Sequence, residues 1–99
     1  MGAINIDIHV DGDKSPEYIR EVFKSQQAED RFNNGHRDGY SGDFQTVDEV
    51  KISMLKFETY DEAYDYCLDK SEKWEHVTAC RYKDTEGKLN WVIAGWGAC

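Results

Sequence analysis

Residues 3–10 alternate strictly between apolar and polar side chains, and this alternation constrains the fold more than any other stretch. Its apolar positions are Ile4, Ile6, Ile8 and Val10. Successive side chains of a strand point to opposite faces of a sheet, so the pattern predicts a strand with one buried and one solvated face. The first predicted element is therefore a half-buried strand.

A helix is predicted directly after this strand. Ser15 is a favourable N-cap residue, and Pro16 suits the first helical position because its missing N–H would have no helical partner there. Ile19, Val22 and Phe23 then recur at helical spacing, which indicates one apolar stripe that continues through about residue 30.

Two strands are predicted between the first helix and the second. The longer one places Val50, Ile52 and Met54 on one face and Lys51 on the other. The residues FQT at 44–46 are predicted as a short strand before it. The second helix covers the sequence FETYDEAYDYCLDKSEKW, which contains a T-x-x-E capping box.

The last part of the chain predicts a hairpin, because HVTACRYK and KLNWVIAGWGAC flank the turn residues DTEG. The whole pattern predicts an α+β fold in one domain, 1–99. We expect a mainly antiparallel sheet of four to five strands with two helices on one face. The expected element order is β-α-β-β-α-β-β, or the same order with one strand fewer.

The final strand is apolar on both faces. Trp91 and Ile93 project to one face, and Val92, Ala94 and Trp96 project to the other. The strand is then either a fully buried central strand or a surface covered by a partner. A homo-oligomer assembled through these apolar strand faces is one predicted arrangement.

Charge and cysteine content restrict the function. With 20 acidic and 12 basic residues the net charge is -8, which opposes direct binding to nucleic acid or to an anionic membrane and favours a partner with a basic surface. Cys67, Cys80 and Cys99 show no C-x-x-C spacing, as expected for reduced thiols in the cytoplasm. We expect neither a secretory signal nor a membrane-spanning segment.

The glycine-rich stretch NNGHRDGYSGDFQT allows three interpretations. His36 with Asp38 or Asp43 could serve a small hydrolase that acts on a nucleotide-like metabolite. His36, Arg37 and Tyr40 could instead contact a partner, or the segment could be a tightly turned connection. The sequence has no phosphate-binding glycine motif and no metal-ligand spacing, so we predict no cofactor and no metal.

Six acidic residues fall within an arc of about 100° when successive residues are rotated by 100° around the second helix. They are Glu58, Asp61, Glu62, Asp65, Asp69 and Glu72. Like charges at these spacings repel one another. The plain interpretation is a solvated outer face, and the alternative is a ridge that docks on a basic surface; we predict partner binding here.

Three motifs resemble those of small tailed-bacteriophage proteins of uncharacterised role. They are the loop at 36–43, the residues EKW at 72–74 and the terminal pair GW at 95–96. The resemblance implies expression inside an infected bacterial cell, where small acidic phage proteins inhibit host or defence proteins. It implies no catalytic residue. The function predicted from the sequence is therefore a small acidic inhibitor, with the hydrolase as the alternative.

Overall fold

In a computed structural model, which describes residues 3–34, 44, 47–72 and 75–98, the chain forms two helices and a four-stranded mixed sheet. The elements in chain order are β1 (Ala3–Val10), α1 (Pro16–Asn34), β2 (Glu49–Phe57), α2 (Tyr60–Lys70), β3 (His76–Lys83) and β4 (Leu89–Ala98). The predicted α+β class is confirmed. Neither helix of these ranges is both long and apolar enough to span a membrane.

The strand order in the sheet is β1-β4-β3-β2. β4 pairs antiparallel with both β1 and β3, and β2 pairs parallel with β3. The predicted order of elements with five strands is therefore wrong for the described residues, where the order is β-α-β-α-β-β. Of the additional strand predicted at 44–46 only Phe44 is described, and it lies outside the four strands. A helical crossover through α2 explains the parallel pair, because parallel neighbours need a long connection.

The two helices cover opposite faces of the sheet, so the prediction of two helices on one face is wrong. Ile19 and Phe23 of α1 pack in a core that contains Trp91 and Ile93. The helix α2 belongs to a second core, whose fully buried members from α2 and the sheet are Ala63, Cys67, Cys80, Val92 and Ala94. Each apolar face of β4 is thus covered by a helix of the same chain. Positions 91–94 therefore offer no exposed apolar surface, and the homo-oligomer predicted through these strand faces stays a prediction.

The predicted starts of both helices are confirmed. α1 begins at Pro16, and the Ser15 hydroxyl accepts a hydrogen bond of 3.2 Å from the backbone N–H of Tyr18. α2 begins after Thr59, whose hydroxyl accepts a bond of 3.2 Å from the backbone N–H of Glu62. These contacts satisfy backbone N–H groups that the first helical turn leaves without a helical acceptor.

The predicted hairpin between β3 and β4 is also confirmed, and Gly87 adopts the positive φ of 80° that its turn requires. The strand β2 differs from its prediction. Its register against β3 shifts between Ile52 and Lys56, so Met54 does not share the partly buried face of Val50 and Ile52 and is 63% exposed. Such a bulge breaks the period-2 alternation on which the prediction depended.

Candidate partner-binding surface on the second helix

The helix α2 carries four of the six predicted acidic residues. Glu58 precedes the helix and Glu72 follows it, so the prediction of six carboxylates on one helix is wrong for these two. The remaining four, which we call the acidic face, are all exposed: Asp61, Glu62, Asp65 and Asp69. The opposite side of α2 is fixed to the sheet by Ala63 and Cys67, which are both 0% exposed.

The helix ends at Lys70, before the end of its predicted segment, because the side chain of Ser71 turns into the interior. Its hydroxyl oxygen lies 2.6 Å from the carbonyl of Cys67, 3.0 Å from that of Ala94 and 3.1 Å from the hydroxyl of Thr78. Its backbone is extended, with φ of -94° and ψ of 152°. Ala94 and Thr78 lie outside the helix, and a serine side chain that bonds to such groups competes with helical continuation. This explains why the acidic face stops at Asp69.

Cations of the described residues neutralise little of the acidic face. Within the described residues, Lys70 alone approaches one of its carboxylates, with Nζ 4.0 Å from the Asp69 carboxylate and side chains 57% and 78% exposed. An exposed pair at this distance contributes between zero and about 1 kcal/mol. Glu58, which lies just before the helix, has its carboxylate 3.5 Å from Nζ of Lys83. Among the described residues, the negative charge of the acidic face is therefore largely unbalanced.

Glu72 continues the acidic surface beyond the helix together with Glu75. A hydrogen bond between the two carboxyl groups, and their mutual repulsion, raise the pKa of Glu75 above its usual value. One proton shared by two carboxyls relieves the repulsion between them. This surface is therefore most negative when both groups are ionised.

Glu75→Gln is expected to raise the midpoint of thermal unfolding near neutral pH. A carboxyl whose pKa is raised by folding favours the folded state most at low pH, and this contribution falls as pH rises from the unfolded pKa through the folded pKa. The gain from Glu75→Gln should therefore disappear below about pH 4, where the Glu75 carboxyl carries a proton in both the folded and the unfolded state. Thermal melts followed by circular dichroism across this range measure it.

Glu86→Gln is the matched control, since Glu86 is exposed and lies 3.5 Å from Lys88 rather than beside another acid. We expect no increase in the melting midpoint for this variant. An equal gain from Glu75→Gln at every pH would contradict the shared proton.

A pocket of about 400 Å³ lies at the end of the sheet that contains the C-terminal ends of β1, β2 and β3. Its lining includes His9 near the end of β1, Thr59 after β2, Tyr60 at the start of α2 and Tyr82 near the end of β3. Ligand sites in sheets with parallel strands commonly form at the carboxyl ends of those strands. The position therefore suits binding, and it adjoins the acidic face at the start of α2.

Three rings, those of His9, Tyr60 and Tyr82, form what we call the aromatic pocket. The His9 and Tyr60 ring centres are 4.7 Å apart, and those of Tyr60 and Tyr82 are 5.2 Å apart. The Tyr82 hydroxyl oxygen lies 2.8 Å from Nε2 of His9, and the Tyr60 hydroxyl donates to the Asp7 carboxylate at 3.2 Å. Burial and the nearby Asp7 charge raise the pKa of Tyr60, so its hydroxyl stays protonated.

A second cavity, of about 550 Å³, lies between β2 and α2. Its lining includes Lys51 and Lys70 with the hydroxyl groups of Ser53 and Tyr66. Nε2 of His76, also in the lining, lies 2.7 Å from the Lys70 carbonyl oxygen. Across the described ranges, no three His, Cys, Asp or Glu side chains are placed together to hold a metal ion.

The predicted loop residues lie outside the part of the chain that the structure describes. They are His36, Arg37, Asp38, Tyr40 and Asp43. Their predicted roles, in a hydrolase or in partner contact, stay predictions.

The aromatic pocket was not anticipated from the sequence. Asp7 and His9 are the polar positions of the alternating pattern in β1, which indicates exposure and no more. Tyr60 and Tyr82 come from two other elements, and spacing along the chain does not show that they meet.

Comparisons with known protein families, with curated proteins and with solved structures found no significant match.

Proposed function

We propose that this protein is a small binding protein whose acidic face occupies a basic surface of a partner protein. The observation that carries the proposal is the exposure of Asp61, Glu62, Asp65 and Asp69 on one side of a helix whose other side is buried. A rigid row of like charges is complementary to a row of lysines and arginines. It also attracts such a partner over a distance and accelerates encounter.

The acidic face has a cost in stability that the described part of the molecule does not offset. Asp61 and Asp65, and likewise Asp65 and Asp69, are four residues apart on α2, where like charges destabilise a helix by roughly 0.2–0.5 kcal/mol per pair. Lys70 approaches Asp69 alone. A row of carboxylates with one weak cationic neighbour among the described residues is suited to an external cationic surface.

The partner we propose is a host or defence protein in the bacterial cytoplasm, and the proposed effect is inhibition. The resemblance of residues 36–43, 72–74 and 95–96 to small phage proteins supports this choice of partner. The net charge of -8 supports a protein surface rather than a nucleic acid. A compact domain seated on a basic surface would block the natural anionic ligand of that surface.

Reversal of three charges in Asp61→Lys, Asp65→Lys and Asp69→Lys is expected to weaken partner capture strongly. Three lost ion pairs of about 0.5–1 kcal/mol each correspond to a loss of affinity of roughly 10- to 150-fold. Capture from bacterial lysate by the wild type should also weaken at high salt, because exposed charges are screened beyond about 8 Å at physiological ionic strength. Quantitative mass spectrometry of the captured proteins measures both effects.

The matched control reverses three exposed glutamates of α1, which changes the net charge by the same amount on the opposite face of the sheet. They are Glu17, Glu21 and Glu29. We expect this variant to retain capture. Equal capture by both triple variants, or capture of no partner at either ionic strength, would count against the proposal. Circular dichroism establishes that each variant is folded.

A further inference from the structure

The aromatic pocket lies beside two carboxylates and one lysine. Glu58, Lys83 and Asp84 all belong to its lining. Asp84 accepts hydrogen bonds from the backbone N–H groups of Glu86 and Lys88 and from the side chain of Asn90. These bonds lower the pKa of Asp84, so its carboxylate is charged at neutral pH. The rim of the pocket therefore has more negative than positive charge.

The rings of the pocket also favour a cation. The faces of tyrosine rings carry negative potential and attract guanidinium and ammonium groups. The hydroxyl of Tyr60 donates to Asp7, and a phenol polarised by a carboxylate acceptor has a more electron-rich ring. Tyr60 is partly exposed and His9 is exposed, so both rings are accessible from solvent.

We propose that the aromatic pocket takes the guanidinium group of an arginine side chain of the partner, held by the ring of Tyr60 and the carboxylate of Glu58. Arginine fits better than lysine because its planar group stacks on aromatic rings and pairs with a carboxylate through two N–H groups. The inference rests on the proposed function and adds an anchoring side chain to it. Glu58, which lies outside α2, thereby contributes to binding from the rim of the pocket.

An anion is the less suitable ligand for this pocket. The start of α2 is a potential anion site, but the hydroxyl and the carbonyl of Thr59 accept the N–H groups of Glu62 and Ala63. Lys83 is paired with Glu58 at 3.5 Å. The side chains of Lys83 and Glu58 are 44% and 76% exposed, so an arriving guanidinium can replace Lys83 at Glu58. The cavity between β2 and α2 is less suited to a cation, because two lysines and one glutamate, Lys51, Lys70 and Glu72, belong to its lining.

The test is a titration of the isotope-labelled protein with N-acetyl-arginine-N-methylamide, followed by two-dimensional NMR. We expect saturable shifts at the amides of Thr59, Tyr60, Lys83 and Thr85, and none with the citrulline analogue, which is a neutral isostere. Glu58→Gln should lower the affinity for the arginine probe about threefold or more, and Tyr60→Leu about fivefold. Tyr60→Phe keeps the ring and should retain most of the affinity.

Glu86→Gln is the control, since Glu86 is as exposed as Glu58 but lies outside the lining of the pocket. Equal shifts with arginine and citrulline probes, or an unchanged affinity in Glu58→Gln, would overturn the inference. Glu58 is largely exposed, so this variant folds even if Tyr60→Leu does not.

The two proposals fail in distinguishable ways. If capture depends on salt and on the acidic face but the arginine probe does not bind, the proposed arginine site in the pocket is refuted and the proposed function is not. If the probe binds in the pocket but capture is unchanged by charge reversal at Asp61, Asp65 and Asp69, the proposed role of the acidic face is refuted.

Discussion

Trp91→Ala is expected to lower the free energy of unfolding by about 3–5 kcal/mol. Trp91 is 1% exposed and is the largest fully buried side chain of the described residues. Its indole N–H donates to the carbonyl of Lys14 at 2.9 Å, and the Arg81 guanidinium lies 5.3 Å from its ring centre. Arg81 in turn pairs with Asp13 at 3.1 Å. The indole thus joins the sheet to the segment between β1 and α1.

A loss of this size is a large share of the roughly 5–15 kcal/mol that stabilise a typical domain. Chemical denaturation followed by circular dichroism measures it. Trp91→Phe is the control, because it keeps an aromatic ring and removes the N–H donor, and we expect a clearly smaller loss. A change below about 1 kcal/mol for Trp91→Ala would mean that the core closes over the gap.

Gly95→Ala is expected to lower the free energy of unfolding by about 1–3 kcal/mol through overpacking. A methyl group at this position would lie 2.6 Å from Cγ1 of Val77 and 3.1 Å from the hydroxyl oxygen of Ser71. Val77 is 0% exposed, so its side chain is enclosed by other residues and does not border solvent. Denaturation curves of the variant measure the loss.

A double-mutant cycle identifies the cause of that loss. Gly95→Ala combined with Val77→Ala should cost less than the sum of the single changes, because the smaller side chain removes the clash. Gly87→Ala is a contrasting control, since nothing lies within 4 Å of an added methyl group there and its positive φ of 80° is the source of strain. Strict additivity at positions 77 and 95 would contradict the overpacking explanation.

Local patterns predicted several elements well, because their causes are local. The alternation of residues 3–10 gave β1, and the capping residues Ser15 and Thr59 gave the starts of both helices. The two apolar faces of β4 were also predicted and are both buried. Each of these predictions depends on residues that are close together in the chain.

The arrangement of the elements could not be obtained in the same way. Periodicity shows which residues of a strand share a face and gives no information on which strand lies beside it. The parallel pairing of β2 with β3 was missed for this reason. The sequence of β3 contained a usable signal, because it has apolar residues on both faces. In the structure Val77 and Ala79 belong to one core, and Cys80 and Tyr82 belong to the other. Two neighbouring strands that are apolar on both faces indicate a helix on each side.

The candidate site was predicted in part. The rotation of 100° per residue correctly placed Asp61, Glu62, Asp65 and Asp69 on one exposed side of α2. The end of that helix depends on acceptors for Ser71 in a distant strand, which no local pattern reveals. The aromatic pocket joins residues of β1, α2 and β3, so it becomes visible with the tertiary structure.

The central place of β4 has a consequence for the biosynthesis of this protein. In the described sheet β1 has β4 as its single neighbour, although β4 is the last strand in chain order. While the ribosome adds the intervening residues, which takes on the order of ten seconds, the apolar side chains of β1 have no neighbouring strand. The strand β1 therefore cannot take its place in the sheet until residues 89–98 have been synthesised and are free to pair with it.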